Sequence, residues 1–138
     1  MNFDDVEVGH ELPAAHYELS REDLRAYAEA SGDRNPIHLD EATAKAVGLP
    51  DVIAHGMLTM GLAGTVVADW AGNPGAVVSY GTKFTAPVVV AADTPAVVDV
   101  SGTVASRDAE ARTVEVDLTV TSGGAKVLTR ARAVVRLP

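Results

Sequence analysis

Apolar residues in this chain follow two rules, and the change comes near Gly72. Before it they recur at helical spacing or in long runs, and after it they alternate with polar residues. Residues 1–9 read as a lead-in. His10 to Leu19 predicts a first strand, with Ala15, Tyr17 and Leu19 on one face and His16 and Glu18 on the other. Ser20 is placed to cap a helix: Glu22 and Asp23 stand in its first turn, Leu24, Tyr27 and Ala28 form its apolar stripe, and Gly32 ends it. Asp40 predicts the cap of a shorter helix, Glu41 to Val47, stopped by Gly48 and followed by the breaker Leu49-Pro50. The longest helix runs from about His55 to Trp70, with Asp51 as the candidate cap of its entry. It is apolar nearly all round, so it belongs in a core or against a sheet. Gly56, Gly61 and Gly64 inside it each cost about 1 kcal/mol relative to Ala, which suits positions where a backbone or ligand comes close.

After the turn Gly72-Asn73-Pro74-Gly75, four strands are predicted: Ala76 to Thr85, Val97 to Ser106, Thr113 to Thr121 and Val127 to Arg136. Ala86-Pro87 marks a bend or a sheet edge. The Thr113–Thr121 segment alternates most cleanly, with Val114, Val116, Leu118 and Val120 inward and Glu115, Asp117 and Thr119 outward. Residues 107–112 and 122–125 read as hairpin turns. The economical packing is α+β: a curved antiparallel sheet wrapped around the long helix, as one domain over residues 1–138. Such a sheet leaves an edge or face to pair, so a dimer is expected.

Composition narrows the function classes. A formal net charge of −8 argues against nucleic acid, whose phosphates it would repel. It also means that an acidic partner would need a local basic patch or one supplied by a second subunit. Without cysteine there is no disulfide, thiol nucleophile or Cys-ligated metal. The four histidines, His10, His16, His38 and His55, match no zinc spacing, so no metal and no cofactor is expected. No apolar run reaches the roughly 20 residues that span a bilayer, and the N-terminus lacks the features of a secretory leader. The reading is a cytoplasmic protein with no membrane association.

The candidate chemistry lies in two stretches, Ser31-Gly32-Asp33-Arg34-Asn35-Pro36-Ile37-His38 and Ile53-Ala54-His55-Gly56-Met57. Pro36 has no N–H and biases Asn35 towards an extended conformation, which makes the first stretch a fixed turn. A fixed loop carrying Asp and His beside a helix start points to a positioned acid–base pair. The same residue types are also the commonest turn formers, so spacing alone leaves an ordinary loop open.

Three motifs decide further: S-G-D-x-N-P-I-H-x-D, then G-L-P-x-x-I-A-H-G-M-L-T-M-G, then K-F-T-A-P-V. Together they closely resemble the MaoC-like (R)-specific hydratase/dehydratase family with the hot-dog fold. The match is densest from Tyr27 to Val88. It is similar above all to the catalytic B-type subunit of the (3R)-hydroxyacyl-ACP dehydratase of fatty-acid elongation. The resemblance implies a catalytic dyad of Asp33 and His38, supported by Asn35, with the Gly56 N–H binding a thioester carbonyl. It implies reversible syn addition of water to a trans-2-enoyl thioester, on coenzyme A or an acyl carrier protein, in a homodimer or a heterodimer with a related hot-dog subunit. His38 is assigned as the base at C2 in dehydration and Asp33 as the group that handles the hydroxyl; the reverse stays open, because a coupled pair titrates together.

Where some relatives carry a serine along the central helix, this chain has Gly61-Leu62-Ala63-Gly64. Thr59 or Thr65 could replace the hydroxyl, and the small residues could widen an acyl channel. Pro36, His55, Met57, Met60 and Lys83 are candidate substrate contacts. For His55 a helix cap or packing role is the simpler alternative, and for Lys83 a surface lysine. Tyr80 and Phe84 read as core aromatics, and Arg130, Arg132 and Arg136 as a solvated strand face. Two rival functions stand beside the hydro-lyase: an acyl thioesterase, since one fold hosts several chemistries, and a non-catalytic acyl-binding subunit of a dehydratase.

Overall fold

The alternating segments pair into one antiparallel sheet in a computed structural model that describes residues 1–138. Its strands are β1 (Glu11–Leu19), β2 (Val77–Phe84), β3 (Ala96–Asp108), β4 (Thr113–Ser122) and β5 (Ala125–Arg136). Their order across the sheet is β1-β3-β4-β5-β2, which leaves β1 and β2 as its edges. On β4 the expected inward residues Val114, Val116, Leu118 and Val120 are all buried. On β5 the solvated face holds, and there Arg132 grips Asp117 through Nε and Nη2, at 2.6 and 3.0 Å. Arg130 sits beside an irregularity in the β2–β5 pairing, with φ +49°.

Three helices complete the chain: α1 (Arg21–Ser31), α2 (Glu41–Ala46) and α3 (Gly56–Ala71). Ser20 and Asp23 cap α1 reciprocally, each side chain accepting the other's backbone N–H, and Gly32 ends it in the left-handed conformation at φ +79°. The Asp40 side chain accepts from Thr43 N–H at the start of α2. The apolar helix α3 contacts every strand of the sheet and buries Ala63, Val66, Val67 and Trp70 in the main core. The sheet wraps this helix, as its all-round hydrophobicity requires.

Asp51 does not cap α3. The N-cap is His55, which makes no side-chain cap bond. Asp51 accepts instead from Arg21 Nη2 at 2.5 Å and from Val52 N–H at 2.7 Å. An exposed helix start would favour an Asp cap, but here the half-buried guanidinium of Arg21 is the stronger partner. No helix is long and apolar enough to cross a membrane.

Candidate active site

The loop after α1 is a chain of short-range turn bonds. Ser31 Oγ accepts from Asp33 N–H at 3.1 Å, Asp33 Oδ1 from Asn35 N–H at 3.1 Å, and Asn35 Oδ1 from Ile37 N–H at 3.2 Å. Pro36 then opens a single 3-10 turn, Pro36–His38. Each polar residue of the motif thus completes one turn, and the sum turns Asp33 outward and His38 inward. Asp33 is exposed, whereas His38 is only 8% exposed. The Asn35 N–H thus orients the Asp33 carboxylate.

The segment before α3 runs alongside and is tied to this loop by three hydrogen bonds. Ile53 N–H donates to Ile37 O at 3.2 Å. His38 Nδ1–H donates to Ile53 O at 2.7 Å. His55 Nε2–H donates to Asp33 O at 2.9 Å. On its other side the segment pairs with the stretch after β2, through Ala54 N–H to Val88 O and Val90 N–H to Val52 O, both 2.8 Å. Arg21 locks the frame from outside. Its Nε–H reaches Val90 O at 3.0 Å, and its two terminal nitrogens reach Glu41 and Asp51.

Two imidazoles meet in this frame. The rings of His38 and His55 stack with centres 3.9 Å apart and planes 24° apart, and Tyr27 packs edge-on against His55 at 4.7 Å. Because a carbonyl can only accept, the bond to Ile53 O puts the His38 proton on Nδ1 and leaves Nε2 with a free lone pair. Burial pushes the His38 pKa below its ordinary value. The Ile53 carbonyl works against this shift, His55 reinforces it, and Asp33 opposes it more weakly.

Both members of the pair line one cavity of about 530 Å³. His55, Gly56 and Met57 line it with them, and the far wall is Phe84 to Val88 with Val127 and Leu128. The helix start offers its first amides there: the first bonds of α3 run from Leu58 and Thr59 N–H to His55 O, so Gly56 and Met57 N–H precede them. Gly56 allows this approach because a Cβ there would stand 2.9 Å from the Phe84 ring.

Several expected contacts lie elsewhere. Pro36, Met60 and Lys83 do not line the cavity. Pro36 shapes the loop, the Met60 carbonyl accepts from Tyr80 Oη–H at 2.8 Å, and Lys83 stands exposed on β2. Phe84 is not a core aromatic; it is 54% exposed and forms cavity wall. Gly61 and Gly64 do not line the cavity; a Cβ on Gly64 would meet Tyr80 at 3.1 Å. Of the two candidate threonines, Thr59 is the one in the cavity wall, where it is buried, whereas Thr65 donates to Gly61 O on the exposed side of α3. Val127 and Leu128 carry no local signal of a site role; they read as strand, and only the β2–β5 pairing brings them beside Phe84. Asp33, His38 and His55 also offer a cation one donor atom each, all within 4.8 Å of one another, a trio hidden from zinc-spacing rules by its spread over two segments.

Residues 5–123 match the MaoC like domain. The chain belongs to that family. It is 36% identical to a 3-hydroxybutyryl-CoA dehydratase of Methylorubrum extorquens, over 99% of this chain and 83% of the relative. It is 34% identical to an (R)-specific enoyl-CoA hydratase of Rhodospirillum rubrum, over 99% of this chain and 91% of the relative. Among solved structures, a MaoC-like dehydratase superposes with a TM-score of 0.97 at 48% identity, covering 99% of this chain. This chain spans only 42% of that longer one. The MaoC-like fold is the hot-dog fold, a curved antiparallel sheet around a central helix, as the motifs implied.

Proposed function

We propose that this MaoC-like chain is a hydro-lyase that interconverts (3R)-3-hydroxyacyl thioesters and trans-2-enoyl thioesters plus water. The observation that carries the reading is a distance. A carboxylate oxygen of Asp33 and a ring nitrogen of His38 lie within 4.8 Å on one cavity wall, a gap that a single water or hydroxyl oxygen bridges.

In the dehydration direction, the free Nε2 of His38 takes the C2 proton of the hydroxyacyl thioester. The electron pair moves onto the thioester carbonyl, whose oxygen becomes an enolate facing Gly56 N–H and the positive end of the α3 dipole. The enolate reforms the carbonyl as the C2–C3 double bond forms, and the C3 hydroxyl leaves. The proton removed from C2 returns through the Asp33–His38 pair to that hydroxyl, so water departs and both side chains end as they began. Hydration is the reverse, with the pair holding the water.

Asn35 keeps the Asp33 carboxylate in place, and Met57 flanks the substrate. The carrier is coenzyme A or an acyl carrier protein, and the partner is a second hot-dog subunit, identical or related. Two edge strands open to pairing and the partial coverage of a longer dehydratase support that partner.

The test uses the purified chain and a series of trans-2-enoyl-CoA thioesters from short to long. Loss of the enoyl absorbance without free thiol is the expected result. Release of free thiol with the enoyl band unchanged would establish a thioesterase instead, and no turnover with acyl-CoA bound would favour an acyl-binding subunit.

A further inference from the structure

His55 breaks two local rules at once. It occupies the N-cap of α3, where Ser, Thr, Asp or Asn would close the helix, yet its side chain makes no cap bond. Its ring is 1% exposed, and Nδ1 is the one fully buried side-chain nitrogen or oxygen without a partner. An unpaired buried acceptor loses its hydration without a compensating bond, so it costs stability. Positions that break local rules in this way are expected where function outweighs stability.

What the same imidazole does with its other nitrogen explains the retention. Nε2–H reaches across 22 residues of sequence to the carbonyl of Asp33. The ring is held in that pose by two neighbours, His38 stacked on it and Tyr27 in an edge contact. We infer that His55 is a positioning residue: its Nε2–H anchors the backbone of Asp33, and so fixes the distance between the Asp33 carboxylate and the His38 ring. Every other bond to the Asp33 residue comes from its own turn, from Ser31 and Asn35, and travels with the loop. The His55 bond is the only one that references Asp33 to α3, the element that presents Gly56. The inference rests on the hydro-lyase reading and assigns His55 neither proton transfer nor substrate binding.

The test compares His55→Gln, His55→Asn and His55→Phe with the unsubstituted protein on the same enoyl-CoA series. The Gln amide reaches the position of Nε2 and can still donate to Asp33; the Asn amide falls short, and Phe keeps a ring without a donor. The expected result is a kcat lowered on the order of 10- to 100-fold in the Asn and Phe variants, the scale of a misplaced catalytic group. KM should stay near that of the unsubstituted protein, and Gln should recover a large part of kcat. If the Phe variant does not fold, the Gln–Asn pair carries the comparison, with circular dichroism confirming both are folded. Equal activity of Gln and Asn, or a loss confined to KM, overturns the inference while leaving the hydro-lyase reading intact. An unsubstituted protein that hydrates no enoyl thioester overturns both.

Discussion

His38 gives its Nδ1 proton to the carbonyl of Ile53 across 2.7 Å, and that single bond sets which ring nitrogen can act as a base. The consequence is a pH profile with a definite sign. Burial disfavours the imidazolium, and the stacked His55 adds to this, so the His38 pKa lies below the ordinary 6.5 in the folded state. The base form is therefore favoured at neutral pH, and kcat/KM should fall as pH drops through the lowered value. The linked stability has the same direction: its His38 contribution is present above the unfolded pKa and is lost as pH falls through the folded one. A pH–rate profile whose acid limb lies above 6.5 would contradict the assignment of His38 as base.

Asp33→Asn and His38→Gln should each lower kcat at least about 100-fold, the usual scale for a general acid–base group. Both substitutions preserve size, and Asp33 is exposed, so the melting temperature of the Asp33 variant should stay near that of the parent. Stopped-time enoyl absorbance assays with thermal melts separate the two effects. Near-normal turnover in either variant removes that residue from the chemistry.

Gly56→Ala should act through Phe84. The added methyl would meet the Phe84 ring at 2.9 Å, and that ring is exposed and able to swing. Folding stability should then change by less than about 1 kcal/mol, while the displaced ring crosses the cavity mouth. The expected outcome is a raised KM, partly relieved by adding Phe84→Ala. An unchanged KM in Gly56→Ala, or no relief in the double variant, would show that the ring does not guard the opening.

Arg21→Met should destabilise the protein by about 1.5–3 kcal/mol, the range for losing hydrogen bonds to a charged partner. The methionine keeps the packing of the stem but removes the guanidinium bonds to Asp51 and to the Val90 carbonyl, leaving Asp51 only the Val52 N–H. Urea unfolding measures the change. A midpoint shift within error would mean that the surrounding chain holds the site without this clasp.

Much of the architecture was readable before any coordinates. Ser20, Gly32, Asp40 and Gly72 bound their helices because caps and left-handed stops are local physics, and β4 is written in the alternation of Val114 to Val120. The failures are non-local. Asp51 looks like a cap until Arg21 is seen beside it. Phe84 looks like core until the strand carrying it is found at the sheet edge, with its ring over Gly56. The glycines of α3 look like an acyl channel until Tyr80 is seen packed against Gly64. Turn chemistry located Asp33 and His38, but only the fold could bring the imidazole of His55 between them and Tyr27.

The segment from Asp33 to His38 is stapled to the one from Ile53 to His55 by three hydrogen bonds, and through Val52 and Ala54 to the next. A loop fastened in this manner has no freedom to serve as a flap. Access to the cavity then rests with the side chains at its mouth, the exposed Phe84 ring among them, rather than with movement of this loop.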